Sequence, residues 1–237
     1  VLAAVVINDT GSVFFGIASG IIAGGIVGLI NGLIIAKVGI NALITTLATM
    51  QIVRGLGYIV SGGRAVGIYD PAFFVLGTGR ILGLPVPIWI TVISFAVFGF
   101  LLNKTVYGRN TLAIGGNREA ARLAGVPVAK TKIMIFTIQG LMAGFAGVVL
   151  ASRMTSGQPA TSVGFAMDVI SACVLGGVSL AGGIGTMTGT IVGVFIMGTV
   201  QNAMNLLNIP TFYQYVVRGA ILLAAVIFDQ VRSRKQP

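Results

Sequence analysis

The stretch SVFFGIASGIIAGGIVGLINGLIIA, Ser12 to Ala36, runs for 25 residues without a charge. A hydrocarbon core about 30 Å thick needs about 20 helical residues to cross it, so this run is long enough to span a membrane as one helix. Working outward, Pro85–Asn103 and Ile133–Ser152 are equally free of charge. Ile40–Val60 and Tyr213–Phe228 each carry a single arginine, Arg54 and Arg218. The uncharged run after Asp168 extends to Asn208, too long for one helix, and its glycine pairs predict a break near Ala181–Gly185. Val1–Ile7 reads as the tail of a further span in an N-terminally truncated chain. The expected fold is an all-α polytopic transmembrane helical bundle, with about seven full spans plus one partial, and a single transmembrane domain over 1–237. The alternating strands of about 9–11 residues that build a membrane β-barrel are missing from these runs.

Composition agrees with the span reading. Of 237 residues, 56% are hydrophobic and 8% charged, against roughly 25% charged in a soluble domain, and mean hydropathy is +1.00. With no histidine and one cysteine, the chain has no ligand set for zinc, haem or an iron–sulfur cluster, so no metal or cofactor is expected. The net charge of +10 has an explanation in topology rather than in nucleic-acid binding. Lys37, the six cations between Lys104 and Lys132, and the tail residues Arg232, Arg234 and Lys235 fall on one side of the predicted spans. Arg64, Arg80 and Arg153 fall on the other. The positive-inside rule then places the 104–132 loop and the C-terminus in the cytoplasm.

Glycine recurs every fourth residue from Gly16 to Gly32, with shorter versions at Gly140–Gly144 and Gly185–Gly193. Such ridges let helix backbones approach closely where lipid supplies no hydrophobic drive. Packing within the chain is the expected use, with a dimer seam as the alternative. In the cytoplasmic loop, Asn117 reads as an N-cap, Glu119 as a first-turn acid, and Gly125 with Pro127 as a stop. The short helix between them is too brief to stand alone in water, so its flanking spans or another protein must hold it.

Glu119-Ala120-Ala121-x-x-x-Gly125, within GRNTLAIGGNREAARLAGV (Gly108–Val126), resembles the coupling loop of permease subunits of bacterial ABC importers. SACVLGGVSLAGGIG (Ser171–Gly185), INALITTLATMQIVRG (Ile40–Gly55) and TFYQYVVRGAILLAAVIFD (Thr211–Asp229) are similar to the ribose/xylose/arabinose-type sugar permeases of that family, the arabinose-type members most. The resemblance implies an inner-membrane permease subunit, without bond chemistry of its own, that imports a pentose such as L-arabinose by alternating access. It implies three protein partners: a second permease chain, an ATP-binding subunit and a periplasmic sugar-binding protein. Asn117, Arg118, Glu119, Ala120, Ala121 and Gly125 would then contact the ATP-binding subunit. The chain has no phosphate-binding Gly-x-x-x-x-Gly-Lys-Ser/Thr loop, so ATP hydrolysis is expected on that other subunit.

A sugar path needs hydroxyl partners in an apolar wall. Asn41, Thr45 and Thr49 repeat at four-residue spacing along one helix face, and Gln201, Asn202 and Asn205 fall in a narrow sector of another. These six are the candidate path residues, with interhelical hydrogen bonding as the competing use. Arg54 and Arg218 are costly inside a membrane and are candidate functional charges, unless their long stems carry them to the surface. Asp168 and Asp229 read as span boundaries. An ion- or proton-coupled carrier is the alternative function, and an intramembrane enzyme a more distant one.

Overall fold

Glycine and threonine punctuation divides the apolar sequence into helices. In this computed structural model, residues 1–234 are described; the side chains of Arg232 and Arg234, and Lys235 entirely, lie outside the described residues. The helices in the first part of the chain are α1 Leu2–Thr10, α2 Val13–Leu33, α3 Ala42–Ser61, α4 Pro71–Thr78 and α5 Val86–Lys104. They are followed by α6 Val106–Gly116, α7 Arg118–Leu123, α8 Val128–Met154, α9 Phe165–Leu175, α10 Met187–Leu206 and α11 Thr211–Arg234. Two short antiparallel ribbons also form among the described residues: Val66–Gly67 with Ser156–Gly157, and Arg80–Ile81 with Leu84–Pro85.

The helices form a polytopic bundle. Among the described residues, six are long and apolar enough to cross a membrane: α2 with its π-helical extension to Val38, α3, α5, α8, α10 and α11 to Gln230. That is one fewer than the seven full spans expected. The difference is α9, which has only 11 residues. At about 1.5 Å per residue it covers roughly half of a hydrocarbon core. Its chain leaves the helix at Gly176 and then takes a left-handed turn at Gly177, φ 84°. The break therefore runs over 176–186, wider and earlier than the sequence predicts. Thr186 then starts α10 by accepting from the Gly189 amide at 3.1 Å.

The chain divides into two compact units, residues 1–94 with 127–161, and residues 95–126 with the chain from 162 onward. In the first, α2 and α8 run antiparallel along the glycine ridge. A β-carbon on Gly24 would lie 2.9 Å from Gly144 Cα, and one on Gly140 would lie 2.8 Å from Gly28 Cα. Glycine thus meets glycine within the chain, as the ridge predicts. At one end of this seam Gly32 packs on Ile133, so Lys37 and the lysines at 130 and 132 come from the same end. At the other end α4 docks on the last turn of α8. There Ser152, fully buried, donates to the Phe73 carbonyl at 2.6 Å. Ala3, Ala4, Ile7, Ile68, Phe73, Val148 and Ala151 form the tight core of this end. Helix α4, capped by Asp70, lies in a segment read from the sequence only as an outer loop.

The second unit has its own seam. Gly189 and Gly193 of α10 press on the backbone of Gly176 and Ala172 at the end of α9. Gly185 takes no part in it, meeting only the Val178 side chain at ordinary distance.

Candidate functional site

The 104–132 segment is mostly helix rather than loop. Thr105 starts α6 by accepting from the Gly108 amide at 3.4 Å, and α8 begins at Val128, so both flanking lysines belong to helices. Between α6 and α8 stands α7, with the caps the sequence predicts. Asn117 Oδ1 accepts from the Ala120 amide at 3.0 Å. At the other end Gly125 takes φ 82°, its amide donates to the Arg122 carbonyl at 3.0 Å, and Val126 donates to Ala121 at 3.0 Å. This paired arrangement satisfies the last carbonyls and needs glycine at the left-handed position. Asn117 plays two parts, because its own amide also closes α6 on the Ala113 carbonyl at 3.0 Å.

Five of the six proposed coupling residues, Asn117, Arg118, Glu119, Ala120 and Gly125, are exposed, while Ala121 is buried and seats the helix. Glu119 pairs with Arg122 at 3.1 Å, but both side chains are well solvated and such a pair is worth under about 1 kcal/mol. The feature missed from the sequence is Leu123, which is 83% exposed. It reads there only as a helix former; its exposure depends on the direction α7 takes. On the preceding helix, burial pushes the Tyr107 phenol above its ordinary range, and the hydrogen bond to Thr111 opposes this. Tyr107 therefore stays uncharged at neutral pH.

In the first unit a cavity of about 620 Å³ opens beside the α2–α8 seam, within the range usual for small-molecule sites. Of the path candidates on α3, Thr49 lines it together with Thr46. Thr45 is buried away from it and donates to the Asn41 carbonyl at 3.0 Å. Asn41 is the N-cap of α3, its side chain accepting from Leu43 at 2.8 Å. Asn31 and Gln139 also line the cavity and were missed, although each is an amide inside a charge-free apolar run, which is a legible signal. Asn31 is buried, and its Oδ1 has no hydrogen-bond partner among the described residues.

The α10 candidates belong to the second unit. Gln201 is half-buried and Asn202 exposed. Asn205 accepts from Gln214 Nε2 at 3.2 Å, and the same nitrogen reaches the Ile209 carbonyl at 2.9 Å. Asn205 thus braces the α10–α11 turn, a structural use the sequence does not separate from a path role.

Of the two arginines on membrane-length helices, Arg54 donates to Gln51 on its own helix at 3.2 Å. Arg218 Nη1 donates to Asp168 Oδ2 at 3.1 Å, with the Asp168 side chain 9% exposed. This corrects the reading of Asp168 as a boundary residue: it is buried and tied to α11, because α9 runs alongside that helix. Asp229 is likewise more than a boundary. Its carboxylate accepts from the Leu180 amide at 3.1 Å and Ser179 Oγ at 3.4 Å, fixing the 176–186 connection to α11.

The described residues thus combine long apolar helices with one short, capped helix whose side chains are mostly exposed. Residues 1–226 match the family described as branched-chain amino acid transport system / permease component. The chain belongs to that family. It is 64% identical over 234 residues to the L-arabinose transport system permease protein AraH of Escherichia coli (strain K12), covering 99% of this chain and 71% of that protein. It is 60% identical to the L-arabinose ABC transporter permease protein AraH of Azospirillum brasilense, across 100% of this chain and 70% of that one. The ribose import permease protein RbsC of Bacillus subtilis (strain 168) is 43% identical, over 86% of this chain and 64% of its own length. No solved structure matches the chain. As a family member with six membrane-length apolar helices among the described residues, the chain is a multi-pass membrane protein.

Proposed function

We propose that the chain is the permease subunit of an ATP-driven importer for a pentose, L-arabinose, and that residues 1–237 work as one transmembrane permease domain. The single observation that carries the mechanism is α7: a six-residue helix capped at both ends, seated by Ala121 and presenting Leu123 to solvent. A helix so short is not stable alone in water, and the 83% exposed leucine at its last position is a contact awaiting an apolar pocket. The ATP-binding subunit supplies that pocket, with Glu119 and Arg118 on its rim. The substrate follows from the 64% and 60% identity to two L-arabinose permeases.

The chain itself makes and breaks no bonds. Sugar arrives from a periplasmic binding protein, two permease chains share the translocation work, and the bacterial inner membrane holds them with the C-terminus in the cytoplasm. Thr49, with Thr46, Asn31 and Gln139, offers hydroxyl and amide groups to the sugar on the first unit's cavity wall. Gln201 and Asn202 are path residues on α10. Arg54 and Arg218 hold structural rather than transport roles.

The test is the double variant Glu119→Lys with Gly125→Val, in the transporter reconstituted with its ATP-binding subunit and binding protein. Gly125→Val places a β-branched residue at positive φ, and Glu119→Lys sets a cation at a helix N-terminus, losing about 0.3–1 kcal/mol of dipole interaction. Sugar-stimulated ATP hydrolysis and uptake should fall together while membrane levels persist. Co-purification of the ATP-binding subunit with normal uptake would remove α7 from the coupling role. Uptake that follows a proton gradient rather than ATP would establish the carrier alternative, for which the buried Asp168 carboxylate, paired with Arg218, is the motive.

A further inference from the structure

We infer that Gly115 of α6 and Gly183 of the α9–α10 connection are positioning residues, forming the backbone contact through which movement of α7 reaches the membrane helices. The inference rests on the docking reading of α7 and adds the route by which docking acts.

The route starts at Asn117, which ends α6 and caps α7 with no linker between them. A displacement of α7 therefore moves the last turn of α6. On that turn Gly115 lies backbone to backbone against the glycine pair of the 176–186 connection. A β-carbon added to Gly115 would strike the Gly183 amide nitrogen, and one added to Gly182 would sit 2.8 Å from the Gly115 carbonyl oxygen. No side chain lies between the two backbones to absorb motion by changing rotamer, so a push on one is a push on the other. Gly182 and Gly183 hold φ of 96° and 76°, so the connection adopts a shape that other residues resist.

The receiving connection is braced. Ser179 donates to the Ile184 carbonyl at 3.0 Å, and Gly182 donates to Ser179 at 3.1 Å, closing the turn on itself. Asp229 then pins the turn to α11 through Leu180 and Ser179. Directly beyond the turn lie the ends of α9 and α10, held together by the Gly176–Gly189–Gly193 seam. Rigid elements joined by tight contacts are the physical means by which two sites can be coupled, and the coupling itself is what an experiment must show.

The geometry supplies its own control. A β-carbon on Gly116, one residue on, would meet nothing nearer than 4.0 Å. In the reconstituted transporter, Gly115→Ala should keep its membrane level, retain the ATP-binding subunit and hydrolyse ATP. It should move at least about fivefold less sugar per ATP, the lower end of usual site-to-site coupling. Gly116→Ala should keep the wild-type ratio. A wild-type sugar-to-ATP ratio in Gly115→Ala, or an equal loss in Gly116→Ala, overturns the inference. Should Gly115→Ala fail to reach the membrane, Asp229→Ala decides, since it frees the brace without touching the contact: a lowered ratio supports the route and a wild-type ratio rejects it. Loss of the ATP-binding subunit from the Glu119→Lys/Gly125→Val variant reports on docking alone, so the two readings can fail separately.

Discussion

Asp168 and Arg218 show how much a single residue's meaning depends on its neighbour. A lone charge in a membrane helix is costly, and here the carboxylate is buried and the arginine partly exposed, so losing Asp168 strands a partly buried cation at up to about 3–5 kcal/mol. Arg218 Nε lacks a partner among the described residues, so the guanidinium relies there on its bond to Asp168 Oδ2. Asp168→Ala should therefore lower the thermal midpoint of the detergent-purified protein sharply. Asp168→Leu combined with Arg218→Leu should recover most of the loss, and a double variant as unstable as the single would deny the pair its structural role. The sequence displayed both residues but not their pairing, because 50 positions separate them and no periodicity links one helix to another. The same limit hid Leu123, whereas Asn117 and Gly125 were legible since a cap acts on atoms within a few residues of itself.

Among elements, helices whose ends and faces are written locally were readable, and those defined by docking were not. The long apolar helices follow from charge-free length, and the α2–α8 seam follows from four-residue glycine spacing. Helix α4 escaped notice because eight residues are too few for a span signal, and its place is set by Gly77 lying against the backbone of Arg153. Helix α9 was overcounted because apolar content continues through Gly176 and Gly177 after the helix has ended. The seam itself can be tested by pairing two glycines of one bundle. A β-carbon on Gly28 would lie 3.0 Å from Gly140 Cα, while one on Gly147 of α8 would find open space. Gly28→Ala should cost at least the 1–3 kcal/mol typical of overpacking, by about that order. Gly147→Ala should be neutral or gain about 0.5–1 kcal/mol from helix propensity. Thermal unfolding of both variants checks the contrast, and equal stabilities would mean the helices do not touch there.

For the molecule as a whole, charge placement predicts which way it faces. Lys37 and the lysines at 130 and 132 come from one end of the first unit and Arg153 from the other, and the positive-inside rule predicts that the lysine end is the cytoplasmic one. In a background where Cys173, the single cysteine, is replaced, Ser156→Cys should react with an impermeant thiol reagent in intact cells. Thr111→Cys should react only after the membrane is opened, and labelling of Thr111→Cys from outside would reverse the orientation. What charge counting does not reveal is the cavity wall, because Asn31 and Gln139 come together only once the two glycine-bearing helices have closed. That closure leaves a further mark. Where main chain rests directly on main chain, genetic drift has nothing to vary, so a saturation library of α2 should show a barcode: positions 24, 28 and 32 admitting one letter, and the exposed positions between them admitting nearly any greasy one.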